Sequence, residues 1–175
     1  TVYSVGYAEA LAGQARRYRV TIQIHIKVDT GMSRIGLFYH DIEKDAGAVD
    51  DAEKICRMPE FAADGIFTHF AVADGGRGGK AYTRKQFKLF TDMIEKLEKR
   101  GIKFNNRHCC NSAAIIDYPE FNLDMVRPGI ILYGLSPSPS LRGRIDIRPV
   151  MSLNTVISHV KEIEKGVDVS YGRTF

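Results

Sequence analysis

The chain is short of several residue patterns, and each shortage argues against a class of protein. It holds only three cysteines, Cys56, Cys109 and Cys110, an odd number with no Cys-x-x-Cys pair. That argues against a disulfide scaffold and a thiolate zinc site, leaves no expected metal, and points to a reducing, cytoplasmic setting. Cys109 and Cys110 then read as small buried residues at a strand end. No apolar run approaches the roughly 20 residues of a membrane-spanning helix, and no signal-peptide pattern opens the chain. Basic residues are not gathered into a stripe: 25 Lys and Arg against 21 Asp and Glu, interspersed, leave a net charge of +4. Lys80, Arg84, Lys85 and Lys88 read as the solvent face of one helix, so neither nucleic acid nor a membrane is an expected partner. Length is the last shortage. The 175 residues suit one domain, whereas a complete (β/α)8 barrel takes about 250.

What is present alternates between two periods. Ile22, Ile24, Ile26 and Val28 alternate with Gln23, His25 and Lys27, predicting a strand over Thr21–Val28 with one aliphatic and one polar face. Helices are predicted over Tyr7–Tyr18 and, up to Pro59, over Asp45–Met58. A strand Ala62–Phe70 follows. Phe87, Phe90, Met93, Ile94 and Leu97 fall at helical spacing within Tyr82–Arg100, with Gly101 placed to end that helix. A short strand Asn106–Cys110, a helix from Ser112 to Ile116 and a strand Val126–Leu132 complete the series. About four strand–helix alternations are the signature of a parallel α/β sheet or half a barrel. The glycine-rich Asp74–Gly79 lacks the Gly-Lys-Ser/Thr ending of a phosphate loop and reads as a flexible surface loop. After the Pro/Ser-rich Leu135–Ser140, Val150–Val160 alternates without a following helix, and Asp168–Phe175 opens another strand. The expected organisation is residues 1–137 as the C-terminal part of a (β/α)8 barrel and residues 138–175 as the start of an antiparallel β domain.

On a barrel strand the polar face of Thr21–Val28 points inward, with Lys27 and Asp29 at the C-terminal end, where barrel sites are built. A lysine there is desolvated and close to Arg34, and both effects favour its neutral, reactive form.

Five blocks then occur in order: Val28-Asp29-Thr30-Gly31-Met32 with Ser33-Arg34; Thr68-His69-Phe70-Ala71 with Ala73-Asp74; Asn111-Ser112-Ala113-Ala114; Val126-Arg127-Pro128-Gly129-Ile130 with Leu132-Tyr133-Gly134; and Val169-Ser170-Tyr171-Gly172-Arg173-Thr174. Together they resemble the alanine racemases, pyridoxal-phosphate enzymes with a fold-type III barrel, over essentially the whole chain. The resemblance implies pyridoxal 5'-phosphate as cofactor, alanine as substrate, a homodimer, and D-alanine made for a bacterial wall precursor. It implies that Ser112, Gly129 and Ile130 hold the cofactor phosphate, that His69 packs against its ring, and that Arg127 faces the ring nitrogen. Because an arginine does not surrender its proton, such a ring is a weaker electron sink, which favours return of the proton to Cα over side reactions. Arg34 matches the arginine near the cofactor's phenolic oxygen and the substrate carboxylate. Lys27 matches a lysine that is often carbamylated, and Tyr171 matches the catalytic tyrosine, which acts in the partner subunit's site. With an ordinary pKa of about 10, that tyrosine needs neighbouring cations to serve as a base, Arg173 being one candidate.

The chain departs from the family pattern in one way. The cofactor lysine lies in a Lys-Ala-Asn/Asp-Ala-Tyr-Gly-His-Gly motif, and nothing of that form occurs here. The expectation is therefore a fragment that is inactive alone, with unpaired strand edges that favour association. The alternatives weighed are a serine or broad-spectrum racemase, a fold-type III decarboxylase, and a single-domain barrel that binds pyridoxal phosphate without catalysis.

Overall fold

The computed structural model describes residues 1–173. Helix α1, Val5–Tyr18, starts where the Ser4 hydroxyl accepts the Tyr7 N–H and ends at Arg19 in the left-handed conformation. Its buried face is Ala8, Ala12 and Ala15, small residues that let the helix lie close to its neighbours. Strand β1, Ile22–Asp29, follows, then the two-residue β2, Leu37–Phe38, helix α2, Gly47–Cys56, and strand β3, Phe61–Phe67. Helix α3, Gly76–Lys99, strand β4, Asn106–His108, and helix α4, Ser112–Asp117, complete the regular elements before a series of 3-10 turns.

The four strands are parallel, in the order β2-β1-β3-β4. Val2 bridges to Ile26 beside β1. The chain is thus α/β with a parallel sheet. As the alternation implies, Ile24, Ile26 and Val28 are buried, in one cluster with Val49, Ala52 and Ile55 of α2 and Phe90, Met93 and Leu97 of α3. Gly101, at φ +82°, follows the end of α3. Among the described residues no helix is long and apolar enough to cross a membrane.

Three expectations are corrected. The glycine-rich stretch is not a free loop: α3 begins at Gly76, and Gly79 lies so close to the Val72 carbonyl that a Cβ there would come within 2.2 Å of its oxygen. The expected strand Val126–Leu132 is absent. Its backbone is tied across the strand ends instead of along an edge: Arg127 N–H donates to Cys110 O, Gly129 N–H to Ser112 Oγ, and Leu132 N–H to Gly129 O, closing a 3-10 turn over Ile130–Tyr133. The strands expected within Val150–Val160 and Asp168–Phe175 are also absent among the described residues. A strand needs a neighbour to take its N–H and C=O groups, and the last bond from this region to the body is Val150 N–H to Tyr133 O. A 3-10 turn occupies Tyr171–Arg173. Thr174 and Phe175, the end of that expected strand, lie outside the described residues.

Candidate active site

The C-terminal ends of β1, β3 and β4 and the segment crossing them bring a set of polar groups together. Lys27 sits opposite the aliphatic face of β1 and is 3% exposed. Its Nζ donates to Val28 O at 2.8 Å and lies 5.4 Å from the centre of the Phe67 ring. Burial lowers its pKa to about 8. Asp29 opposes that shift, while Arg127 and Arg34 add to it. The desolvated lysine inferred from alternation is therefore present, and Arg127 is its stronger cationic neighbour.

Asp29 shapes the loop that follows. Its Oδ1 accepts the N–H groups of Gly31, Met32 and Ser33 at 2.9–3.0 Å and lies 3.2 Å from His40 Nε2. The loop closes on the strand at Gly36, whose φ is +133° and where a Cβ would sit 2.7 Å from the Asp29 nitrogen. Arg34 rides on this loop, exposed, and makes no ion pair among the described residues.

Arg127 reaches in from the crossing segment. It donates to Thr68 O at 2.9 Å, Cys109 O at 3.3 Å and His108 Nδ1 at 2.6 Å, with His69 Nδ1 at 3.5 Å. Its guanidinium lies over the Phe67 ring. Burial, then the positive charges of Arg127, Arg34 and Lys27, lower the pKa of His69 to about 4. Burial, then Arg127, His25 and Lys27, lower that of His108 to about 3. Both rings are therefore neutral near pH 7 and can accept hydrogen bonds.

Ser112 opens α4, but Asn111 is the residue that caps it, accepting the Ala114 N–H. The Ser112 hydroxyl is thereby left to meet the Gly129 amide at 2.8 Å. Beside them is a cavity of about 320 Å³ lined by Met32, His69, Asn111, Ser112, Ala113 and Ile130. A larger hollow of about 590 Å³ lies beyond Ile130 against Leu135, Leu141 and Ile147. The smaller one is the better candidate because His69, Ser112 and Ile130 line it, and Arg127 reaches to within 3.5 Å of His69.

The structure thus gathers Lys27, Arg34, His69 and Arg127 at the strand ends, with Ser112 and Ile130 lining the adjoining cavity and Gly129 bonded to Ser112. It does not bring Tyr171 there: that side chain is 99% exposed. Arg173, expected to act as a cation beside it, pairs with Asp168. The residues missed by the sequence reading are His25 and His108. His25 was recoverable, since it shares the polar face of β1 with Lys27 two positions away.

Residues 1–137 match the family described as alanine racemase, N-terminal domain. The chain belongs to the alanine racemase family. It is 46% identical to the alanine racemase of Clostridium tetani and 44% identical to that of Methanococcus maripaludis, each over all of this chain but over 44% and 45% of those proteins. It therefore spans less than half the length of the curated racemases it matches. Among solved structures, alanine racemase from Clostridium difficile superposes with a TM-score of 0.83 at 39% identity, covering 99% of this chain and 44% of that one. The alanine racemase from D-cycloserine-producing Streptomyces lavendulae gives 0.85 at 34%, covering 99% and 45%.

Proposed function

We propose that this chain is the C-terminal part of the (β/α)8 barrel of an alanine racemase, together with the start of its β domain, and serves interconversion of L- and D-alanine with pyridoxal 5'-phosphate. The observation that carries this reading is a cavity lined by His69, Ser112 and Ile130 beside the strand ends, where Lys27 and Arg127 both lie over the Phe67 ring. The donor set suits the cofactor. A serine hydroxyl and a backbone amide stand together beside the cavity, as a phosphate requires, and a neutral imidazole and a fixed guanidinium nearby would suit a planar aromatic ring.

Pyridoxal phosphate, when bound, supplies the electron-withdrawing system that makes a Cα proton removable. The chain's residues do the rest. Ser112, Gly129 and Ile130 would hold its phosphate at the strand ends. Arg127, tied to two backbone carbonyls and to His108, keeps its proton and, facing the ring nitrogen, would limit how much charge that nitrogen draws. His69, held neutral, would pack on the ring face. Arg34, free of ion pairs among the described residues, is available for a carboxylate. Lys27, whose pKa of about 8 keeps a larger neutral fraction near pH 7 than an ordinary lysine has, is positioned to take up carbon dioxide as a carbamate, releasing a proton, and the negative charge would direct Arg34. Tyr171, exposed here, serves as one of the two bases from the site of a partner copy, so the working unit is a homodimer. In a bacterial cytoplasm the product would be D-alanine for peptidoglycan. A serine or broad-spectrum racemase, and a non-catalytic cofactor-binding barrel, gain no support from the relatives found.

The test is a chimera in which residues 1–175 replace the matching segment of the Clostridium tetani racemase. It is expected to bind pyridoxal phosphate, seen by its visible absorbance, and to racemise alanine. Tyr171→Phe in that chimera is expected to cripple turnover from L-alanine while cofactor absorbance persists. A folded chimera that binds no cofactor, or unchanged turnover in both directions after Tyr171→Phe, would overturn the assignment.

A further inference from the structure

β3 runs out of backbone partners before the loop that follows it turns away. Among the described residues its last backbone bond is Thr68 N–H to His108 O at 3.3 Å, and its pairing with β1 stops at Phe67, opposite Lys27. The next residues, His69 to Ala71, are held instead by a side chain of α3. Gln86 Oε1 accepts the Ala71 N–H at 2.9 Å, and Gln86 Nε2 donates to His69 O at 3.2 Å and to Thr30 Oγ1 at 3.4 Å. We propose that Gln86 is a positioning residue, whose amide continues the sheet past the end of β3 and fixes the loop that presents His69 against the end of β1.

A carbonyl and the N–H two residues further on are the pair that a neighbouring parallel strand engages, so the amide stands where the next residue of a strand would. Asn111 serves the same run, its Nδ2 reaching Phe70 O at 3.5 Å. Donor chemistry sets the direction of the Gln86 amide. The Ala71 N–H only donates and the His69 carbonyl only accepts, so the oxygen and nitrogen of Gln86 cannot be exchanged. One acceptor bond and two donor bonds use the oxygen and both amide hydrogens. The side chain is 0% exposed, a place where an apolar residue costs less to bury than an amide without partners.

The bond to Thr30 joins the two strand ends. Gln86 Nε2 only donates, so Thr30 Oγ1 accepts, and its own proton can go to Thr68 Oγ1, 2.7 Å away. Tyr82 lies one turn before Gln86 on the same face of α3, and its hydroxyl donates to Gly31 O at 2.9 Å. Gly31, at φ +133°, has no room for a Cβ beneath that hydroxyl. One face of α3 therefore grips both the loop after β1, which carries Arg34, and the loop after β3, which carries His69.

The consequence for catalysis rests on the proposed function, in which His69 packs on the cofactor ring. Gln86 does not line the cavity and acts through His69. Amide exchange and histidine NMR signals of the 175-residue chain test the inference without cofactor. The Ala71 amide is expected to exchange slowly, at a rate set by local opening. Gln86→Met, of similar volume but without the amide, is expected to speed that exchange by about tenfold relative to the amides of β1 and β3. It is also expected to shift the His69 ring signals and leave those of exposed His159 in place. Gln86→Glu keeps an acceptor for the Ala71 N–H in either charge state and is expected to restore most of the protection. In the chimera, Gln86→Met is expected to raise the Kd for pyridoxal phosphate by about tenfold. The inference is overturned if Ala71 in the parent exchanges as fast as an open loop, or if Gln86→Met speeds it no more than it speeds β1 and β3. Unmoved His69 signals, an unchanged Kd in a chimera that does bind cofactor, or no better protection in Gln86→Glu than in Gln86→Met overturn it equally. A chimera that binds no cofactor would sink the racemase reading and leave the Ala71 protection standing.

Discussion

At the residue scale the site consists of groups held away from their ordinary charge states, and that has consequences in solution. His69 and His108 have folded pKa values of about 4 and about 3, below the ordinary 6.5, with burial as the leading cause. Protonation therefore favours the unfolded chain. The stability these residues hold is present in full above pH 6.5 and is lost as pH falls from there through about 4 and then about 3. Urea unfolding midpoints are expected to fall steeply over that window, and less steeply in His108→Gln. An unaltered slope in that variant would show that His108 does not carry the effect. Lys27 is the mirror case. Its folded value of about 8 lies below the ordinary 10.5, so its charge is disfavoured in the fold. The associated stability is present above pH 10.5, falls as pH drops through about 8, and at pH 7 is missing altogether. Lys27→Met is expected to stabilise the chain by about 1 to 3 kcal/mol at pH 7, with the gain shrinking toward pH 10. A variant less stable than the parent at pH 7 would show that its hydrogen bond to Val28 O outweighs the cost of burying the amine.

At the element scale, what could be read in the sequence was what repeats locally. The period-2 run of β1 and the long apolar face of α3 were legible because each is a pattern within one segment. Lys27 was legible with β1, as a polar residue on its inward face. The two-residue β2 has no pattern to show, and it exists because Val28 and Asp29 offer it an edge. Val126–Leu132 has the composition of a strand, and only long-range bonds to Cys110 and Ser112 turn it across the sheet. His108 was invisible as a site residue for the same reason, since its partner His25 is 83 positions away. The start of α3 shows how far local composition misleads. Gly78 and Gly79 look equivalent in sequence, yet a Cβ at Gly78 meets nothing within 4 Å while one at Gly79 strikes the Val72 backbone oxygen. Gly78→Ala is expected to stabilise the chain by about 0.5 to 1 kcal/mol through lower unfolded-chain entropy. Gly79→Ala is expected to cost about 1 to 3 kcal/mol, because the backbone must move to relieve the overlap. Thermal unfolding of the two variants side by side decides it; equal effects would mean that α3 starts after Gly79.

At the scale of the whole molecule, the packed body and the C-terminal stretch behave as different materials. Residues from Val2 to Leu141 supply the buried core, whereas Met151, Leu153, Val156, Ile157 and Val160 are each at least 80% exposed. Five large apolar side chains within ten residues, none covered, cost nothing to unfold because they are not folded against anything. They also form the kind of exposed apolar surface that drives association. In the proposed racemase the same residues would enter the β domain and be covered, and Tyr171 would be carried to the neighbouring copy's site. Removing residues 150–175 from this chain is therefore expected to leave its unfolding free energy within about 0.5 kcal/mol of the parent's, since the bond from Val150 to Tyr133 is the last one lost. The same truncation is expected to reduce self-association in sedimentation velocity at equal concentration. The two readouts separate the possible causes of clumping. Persistent association after truncation would put it at the outer edges of β2 and β4, which have no paired neighbour among the described residues. A large loss of stability would mean instead that the stretch packs on the body in solution, and that its apolar residues are already part of the core.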